Sequence, residues 1–108
     1  MPSPARVQSF RAEIAHVRRI VARADWDARP TFCYRLRAAL REASAHVQRG
    51  DEIDQRLRAA MRAAEHFSNS LRPNFTPAPV ELMARIDEFD RAGIEMLHEQ
   101  ARDRARAA

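Results

Sequence analysis

Apolar residues recur three and four apart along four stretches of this chain, and the places where the rhythm fails carry residues that start or end helices. In the first stretch Phe10, Ile14, Val17 and Val21 form one stripe, with Val7 beside them. Ser3 and Pro4 precede it as an N-cap and a first helical residue. Asp25-Trp26-Asp27 breaks the pattern, and Asp27 suits the cap of a second helix whose stripe is Phe32, Leu36, Ala39, Leu40, Ala43 and Val47. Gly50 is placed to stop that helix as its C′ residue. Asp51 then reads as a cap, with Asp54 three residues on, before the stripe of Ile53, Leu57, Ala60, Met61, Ala64, Phe67 and Leu71. Arg72-Pro73-Asn74-Phe75 reads as a turn, Thr76 as a cap and Pro77 as a first helical residue, and Phe75 with Val80 fits a hydrophobic staple. Leu82, Ile86, Phe89, Gly93, Met96 and Leu97 form the fourth stripe.

The spacing predicts helices over about 4–24, 28–49, 52–71 and 77–100, joined by short connections. That is an all-α antiparallel four-helix bundle with a long fourth helix, one domain over 1–108. Two glycines and few β-branched residues among many Ala, Arg, Leu and Glu agree with it. The fourth stripe is wide, because Met83, Ile94 and Ala101 add a second apolar strip. A stripe of that width is either clasped by two neighbours or presented to another subunit, and these three residues mark the expected partner interface. Gly93 removes a side chain at a point where a neighbouring helix can approach. No large apolar residue follows Leu97, so the tail through Arg102, Arg104 and Arg106 is expected to fray or to order on a partner.

All the positive side-chain charge is arginine: nineteen Arg and no Lys. Guanidinium is planar, weakly hydrated and bidentate, which suits phosphate and carboxylate recognition and stacking on flat rings. A GC-rich bacterial codon supply also favours Arg and Ala, so abundance alone assigns no role. Residues 1–50 carry ten Arg against Glu13, Asp25, Asp27 and Glu42, a net of +6. Residues 51–108 carry nine Arg against eleven acids, a net of −2. This asymmetry points to a polyanion on one side of the molecule and a protein on the other. A single cysteine, Cys33, excludes an internal disulfide and fits the reducing cytoplasm. No apolar run approaches a membrane span, so no membrane partner is expected. The first two dozen residues are Arg-rich and amphipathic, as some targeting peptides are, but Glu13 and the Ser3-Pro4 helix start read as part of the fold.

Two arrangements invite a catalytic or metal reading. Glu13-x-x-His16 and Glu95-x-x-His98 match the Glu-x-x-His pairs of dimetal bundles. At 100° per residue, however, His16, Glu95 and His98 turn away from the apolar stripes, and Glu42 and Glu65 do not sit at matching heights, so no metal or other cofactor is expected. Arg41-x4-His46 and Arg11-x4-His16 match the spacing of the HEPN ribonucleases, a spacing this many arginines produces by chance. A general acid-base histidine needs a neighbour that sets its protonation state, and the sequence shows none. Cys33, at the border of the second helix's inner face, reads as a structural thiol, and two glycines cannot build a phosphate loop. The chain is therefore expected to be non-enzymatic.

The remaining feature is a basic outer face. On helix two Tyr34, Arg37, Arg41 and Gln48 fall in one outward arc, with Ser44 beside it. Helix three adds Arg58 and Arg62 at similar heights, and helix one adds Arg11 and Arg18, with Arg19 and Arg23 further round. A ring set among guanidiniums gives a base something to stack on while the backbone is neutralised. The competing reading is a solubilising surface laced with local pairs such as Arg58 with Asp54 or Arg62 with Glu65. Helices one and two lack enough acids to pair their own arginines, whereas helix four carries Glu81, Asp87, Glu88, Asp90, Glu95 and Glu99.

In size, helix count, Arg-rich face and lack of a catalytic motif, the chain resembles the small helical subunit of multi-subunit CRISPR effector complexes. The resemblance covers the whole chain as architecture and rests on no sequence motif. It implies a bacterial or phage subunit that holds nucleic-acid strands by backbone contacts within a larger ribonucleoprotein. The expected partner is then RNA or single-stranded DNA, contacted by Arg37, Arg41, Arg58 and Arg62, with Tyr34 stacking. The alternative is a protein-interaction module, such as an antitoxin, a secretion chaperone or an oligomerising adaptor, working through helix four.

Overall fold

A computed structural model of the chain describes residues 4–23, 29–47, 50–70 and 80–107. They form four helices, α1 (Pro4–Ala22), α2 (Arg29–Ala45), α3 (Asp51–Ser70) and α4 (Val80–Ala107), with no strand among the described residues. Each helix lies against two others, in the cyclic order α1, α2, α3, α4. Cross-helix contacts run antiparallel around this ring. Glu13 meets His46, Arg37 meets Glu65, Arg56 meets Glu88, and Phe10 lies over Gly93 while Arg18 reaches back to Asp87. The result is an elongated bundle of 56 × 23 × 19 Å.

The expected stripes supply the core, with Met61 and Met96 half-buried against it and the Phe67 side chain outside the described residues. Phe10, Ile14, Val17 and Val21 of α1, Leu36, Leu40 and Val47 from α2 and its last turn, Ile53 and Leu57 of α3, and Leu82, Ile86, Phe89 and Leu97 of α4 are all buried. Full burial of one such side chain is worth about 1.5–3 kcal/mol, so these rows hold the helices together. Met83 and Ile94, on α4's second strip, are half-buried and lie against this cluster, and Ala101 is buried. The width of α4's stripe therefore serves two neighbours within the chain, α1 and α3.

Three boundaries differ from the sequence expectation. Gly50 does not close α2 in a left-handed conformation, since neither glycine has a positive φ. Instead α2 tightens at its end, where the His46 and Val47 N–H groups donate to the Ala43 and Ser44 carbonyls at 3.2 and 3.1 Å. The Gly50 carbonyl accepts the Asp54 N–H at 3.0 Å, so Gly50 holds the cap position expected for Asp51, which is the first residue of α3. A side chain at Gly50 would press on α4, because its β-carbon would lie 3.1 Å from Met96 Cε. Asp51, Glu52 and Asp54 still place negative charge on the positive end of the α3 dipole.

The third difference is the tail. α4 continues as regular helix to Ala107 instead of fraying near residue 100. Ala and Arg are good helix formers, and Arg104 and Arg106 face the negative end of the helix dipole. At about 1.5 Å per residue the 28-residue α4 is about 42 Å long, and its last six described residues are exposed. The Asp25-Trp26-Asp27 break, the Ser3 cap, Leu71, the 72–75 turn, the Thr76-Pro77 cap and the Phe75 half of the staple lie outside the described residues, as does Gln48. Val80, the other half of the staple, is 85% exposed.

The α1–α4 interface turns on one glycine. The Phe10 ring rests on the Gly93 backbone, and a β-carbon built there would fall 2.7 and 2.8 Å from Phe10 Cε2 and Cε1. The same ring meets Phe89 edge to face, with centroids 5.9 Å apart and planes at 66°. Elsewhere Ser44, expected at the margin of the outward arc, is 2% exposed, and its Oγ has no hydrogen-bond partner. Position 44 lies two turns from Arg37, on the α2 face that meets α3, so the helix buries a hydroxyl at that seam.

Two outcomes follow. Gly93→Ala gains about 1 kcal/mol of helix propensity but overpacks Phe10 at a cost of about 1–3 kcal/mol, for a net loss of stability in urea unfolding. In a Phe10→Leu background the same substitution costs less, and a Gly93→Ala variant more stable than the parent would refute the contact. Ser44→Ala removes an unpartnered buried hydroxyl and improves propensity, so it leaves stability unchanged or raises it by up to about 1 kcal/mol. A clear loss in the same urea titration would mean that the hydroxyl is hydrogen-bonded.

Candidate nucleic-acid interface

Four cross-helix polar contacts divide the arginines into two kinds. Arg18 of α1 bridges Asp87 and Asp90 of α4 at 2.7 and 3.4 Å. Arg56 of α3 meets Glu88 of α4 at 3.3 Å, and Arg85 donates to both oxygens of the same carboxylate at 2.7 and 2.8 Å. Arg37 of α2 meets Glu65 of α3 at 3.0 Å. His46 lies 3.8 Å from Glu13 across α1 and α2, a contact that becomes an ion pair only when the imidazole is protonated. These side chains are partly exposed, so each pair is worth at most about 1 kcal/mol. Their larger consequence is that they decide which cations are already engaged.

The expected site residues therefore separate. Arg18 is held by two carboxylates, and Arg11, two turns away on the same face of α1, is exposed on the α1–α4 side of the bundle. Arg37 is held by Glu65, not by a residue of its own helix. Arg62 is exposed and turned toward α4, where it lines a groove with His66, Glu81 and Arg85. Arg41, Arg58 and Tyr34 remain together on the outer α2–α3 surface. Tyr34 is 76% exposed and Arg41 lies two turns along α2 on the same face. The Arg37–Glu65 register brings Arg58 within about one helical turn of Arg41. Among the described residues no ion pair joins Arg58 to Asp54 or Arg62 to Glu65.

Sequence reasoning missed the other half of this surface. Between α1 and α2 runs a groove of about 510 Å³ whose rim carries Arg19 and Arg23 from α1 and Tyr34 and Arg35 from α2. Its floor is apolar, formed by Ile20, Phe32, Ala38 and Ala39. The groove exists because Ala38 and Ala39 offer only methyl groups where α1 crosses α2. Arg19, Arg23 and Arg35 are exposed and have no carboxylate partner among the described residues, and Glu42 is the acid on the groove's wall. Arg35 lies about 100° round the helix from Tyr34, outside the arc drawn through Tyr34 and Arg41, so a search for one narrow stripe passes over it. The signal that finds it is the neighbouring face of α1, where Arg19 and Arg23 recur one turn apart.

The metal pattern does not assemble among the described residues, whereas His46 of the Arg-x4-His pattern has a carboxylate neighbour, Glu13, that the sequence did not show. No group of three or more His, Cys, Asp or Glu converges on a point among the described residues. His16, Glu95 and His98 are exposed, and Glu13 faces His46. Cys33 is half-buried rather than fully enclosed. No helix is long and apolar enough to cross a membrane among the described residues. The chain matches no protein-family model, no curated protein and no solved structure, so the surface itself carries the functional reading.

Proposed function

We propose that this protein is a non-enzymatic helical subunit that binds the backbone of a nucleic acid through the outer surface of α2 and the flank of α1. The observation that carries this reading is the distribution of unpaired charge. Arg19, Arg23 and Arg35 line one groove with Tyr34, Arg41 and Arg58 continue the surface along α2 and α3, and none of the five has a carboxylate partner among the described residues, while Glu65 is engaged by Arg37 and Glu42 is the acid on the groove's wall. Clustered guanidiniums that do not satisfy one another suit a polyanion, because each phosphate contact releases a condensed counterion. α4 lies across the bundle from this surface and carries the exposed acids Glu81, Glu95 and Glu99. These repel nucleic acid and suit a basic neighbour, as expected of one subunit among several in a ribonucleoprotein such as a CRISPR effector complex.

The reading in which α4 joins another protein through an apolar face has less support. Met83 and Ile94 are half-buried against the chain's own core and Ala101 is buried, so the three do not form a free apolar patch.

The test is binding of a fluorescent single-stranded oligonucleotide across a salt series. Log K falls steeply against log salt, and Arg35→Glu with Arg41→Glu weakens binding about tenfold or more and reduces the slope by about 1.4, the share of two phosphates. Both positions are exposed, so circular dichroism remains that of the parent. Arg102→Glu with Arg104→Glu, at the far end of α4, leaves binding unaltered. An affinity insensitive to the first pair of changes, or no binding even at low salt, would reject the proposed surface.

A further inference from the structure

We infer that the α1–α2 groove receives a single unstacked nucleobase, which makes the surface selective for unpaired strands over duplex. This rests on the proposed backbone-binding role and gives that role its substrate class. A surface that only neutralised phosphates needs guanidiniums and nothing else. Here the guanidiniums stand on the rim of a concave, apolar site. Its volume of about 510 Å³ falls within the range of about 300–1,000 Å³ typical of sites for small flat ligands. Ile20, Ala38 and Ala39 floor it with aliphatic surface, Phe32 closes its base with a ring that is 5% exposed, and the Tyr34 ring stands at its lip.

The chemistry of the two parts matches the two parts of a nucleotide. A base offers a flat apolar face and needs an apolar or aromatic surface when it leaves the stack, which Tyr34 and the floor supply. The phosphates on either side of that base meet Arg19 and Arg23 on the α1 rim and Arg35 on the α2 rim. Thr31, exposed on α2 and part of the same groove, and Glu42 on its wall offer polar groups to a base edge. A duplex keeps its bases stacked and paired, so it reaches the arginines and leaves the groove empty. The apolar floor and aromatic lip argue for a base over a bare polyanion.

Anisotropy titrations with three fluorescent probes at one salt concentration test this. The probes are a single-stranded DNA, the same length of strand built from abasic nucleotides throughout, and the corresponding duplex. The expected result is that the base-bearing strand binds about tenfold or more tighter than the abasic strand. Tyr34→Ala, and independently Ala38→Trp, which fills the groove, then lower its affinity to the abasic level while the salt slope stays that of the parent. Unfolding midpoints of both variants identify any that fail by misfolding, and Tyr34 is exposed enough that its removal leaves the core intact. Equal binding of base-bearing and abasic strands, or an unchanged affinity in both variants, overturns the base site while leaving backbone binding standing. A failure of all three probes to bind at low salt overturns both readings together.

Discussion

The seat of Phe10 on Gly93 is the contact on which the bundle's closure depends. Three of the four helix interfaces join sequence neighbours, α1 with α2, α2 with α3 and α3 with α4, and short connections bring those together at modest entropic cost. α1 and α4 have no such tether and must find each other across the chain. A residue without a side chain on α4 and a flat ring on α1 let the two backbones approach closely, and the Phe89 edge contact orients the ring. Once Phe10 is seated, the register of α1 against α4 is set, and Arg18 falls opposite Asp87 and Asp90. The same placement fixes the rotation of α1 relative to α2. Arg19 and Arg23 then open onto the α1–α2 groove instead of facing α4.

Electrostatics follows from that register. Each helix interface carries one polar crossing: Glu13–His46, Arg37–Glu65, Arg56–Glu88 and Arg18 with Asp87 and Asp90. None is buried enough to contribute much stability. Together they engage Glu65 of α3 and Asp87, Glu88 and Asp90 of α4 along the seams. On the outer surface of α2, Arg35 and Arg41 have no carboxylate partner among the described residues. A molecule of modest formal net charge, +4, thus presents a strongly one-sided field.

The fold was legible in the sequence because it is written in a short-range code. Apolar positions three and four apart name the core face of each helix, and every large stripe residue of Phe10, Ile14, Val17, Leu36, Leu40, Ile53, Leu82, Ile86 and Phe89 is buried as that spacing implies. Helix ends were less legible, since they depend on neighbours. Gly50 reads as a stop from α2 alone, yet its place is explained by Met96 of α4 and by the first hydrogen bond of α3. The α4 tail reads as frayed when apolar anchors are the criterion, whereas Ala propensity and terminal arginines favour continued helix. The candidate site was only half legible. Tyr34, Arg41 and Arg58 share a surface as expected, but whether an arginine is engaged depends on carboxylates about thirty to seventy residues away. Arg37 and Arg18 therefore read as free in the sequence, and Arg35 gives no sequence signal of its own because the groove needs both α1 and α2 to exist.

Arginine abundance by itself has two origins that composition cannot separate, since a GC-rich coding bias raises Arg wherever a polar residue is tolerated. The acids discriminate between them. Codon bias toward Arg does not choose where Asp and Glu are placed, yet α2 carries Arg29, Arg35, Arg37 and Arg41 with Glu42 as its only acid. α4 carries Glu81, Asp87, Glu88, Asp90, Glu95, Glu99 and Asp103 beside its own arginines. An unselected solubilising surface would mix signs on both helices, because mixed charge keeps a protein soluble and lends each helix its i,i+4 pairs. Withholding acids from α2 forgoes those pairs and leaves like charges one turn apart at Arg37 and Arg41, a small destabilisation. Glu65 of α3 offsets that repulsion at Arg37, while Arg41 has no carboxylate partner among the described residues, an arrangement that suits the proposed polyanion.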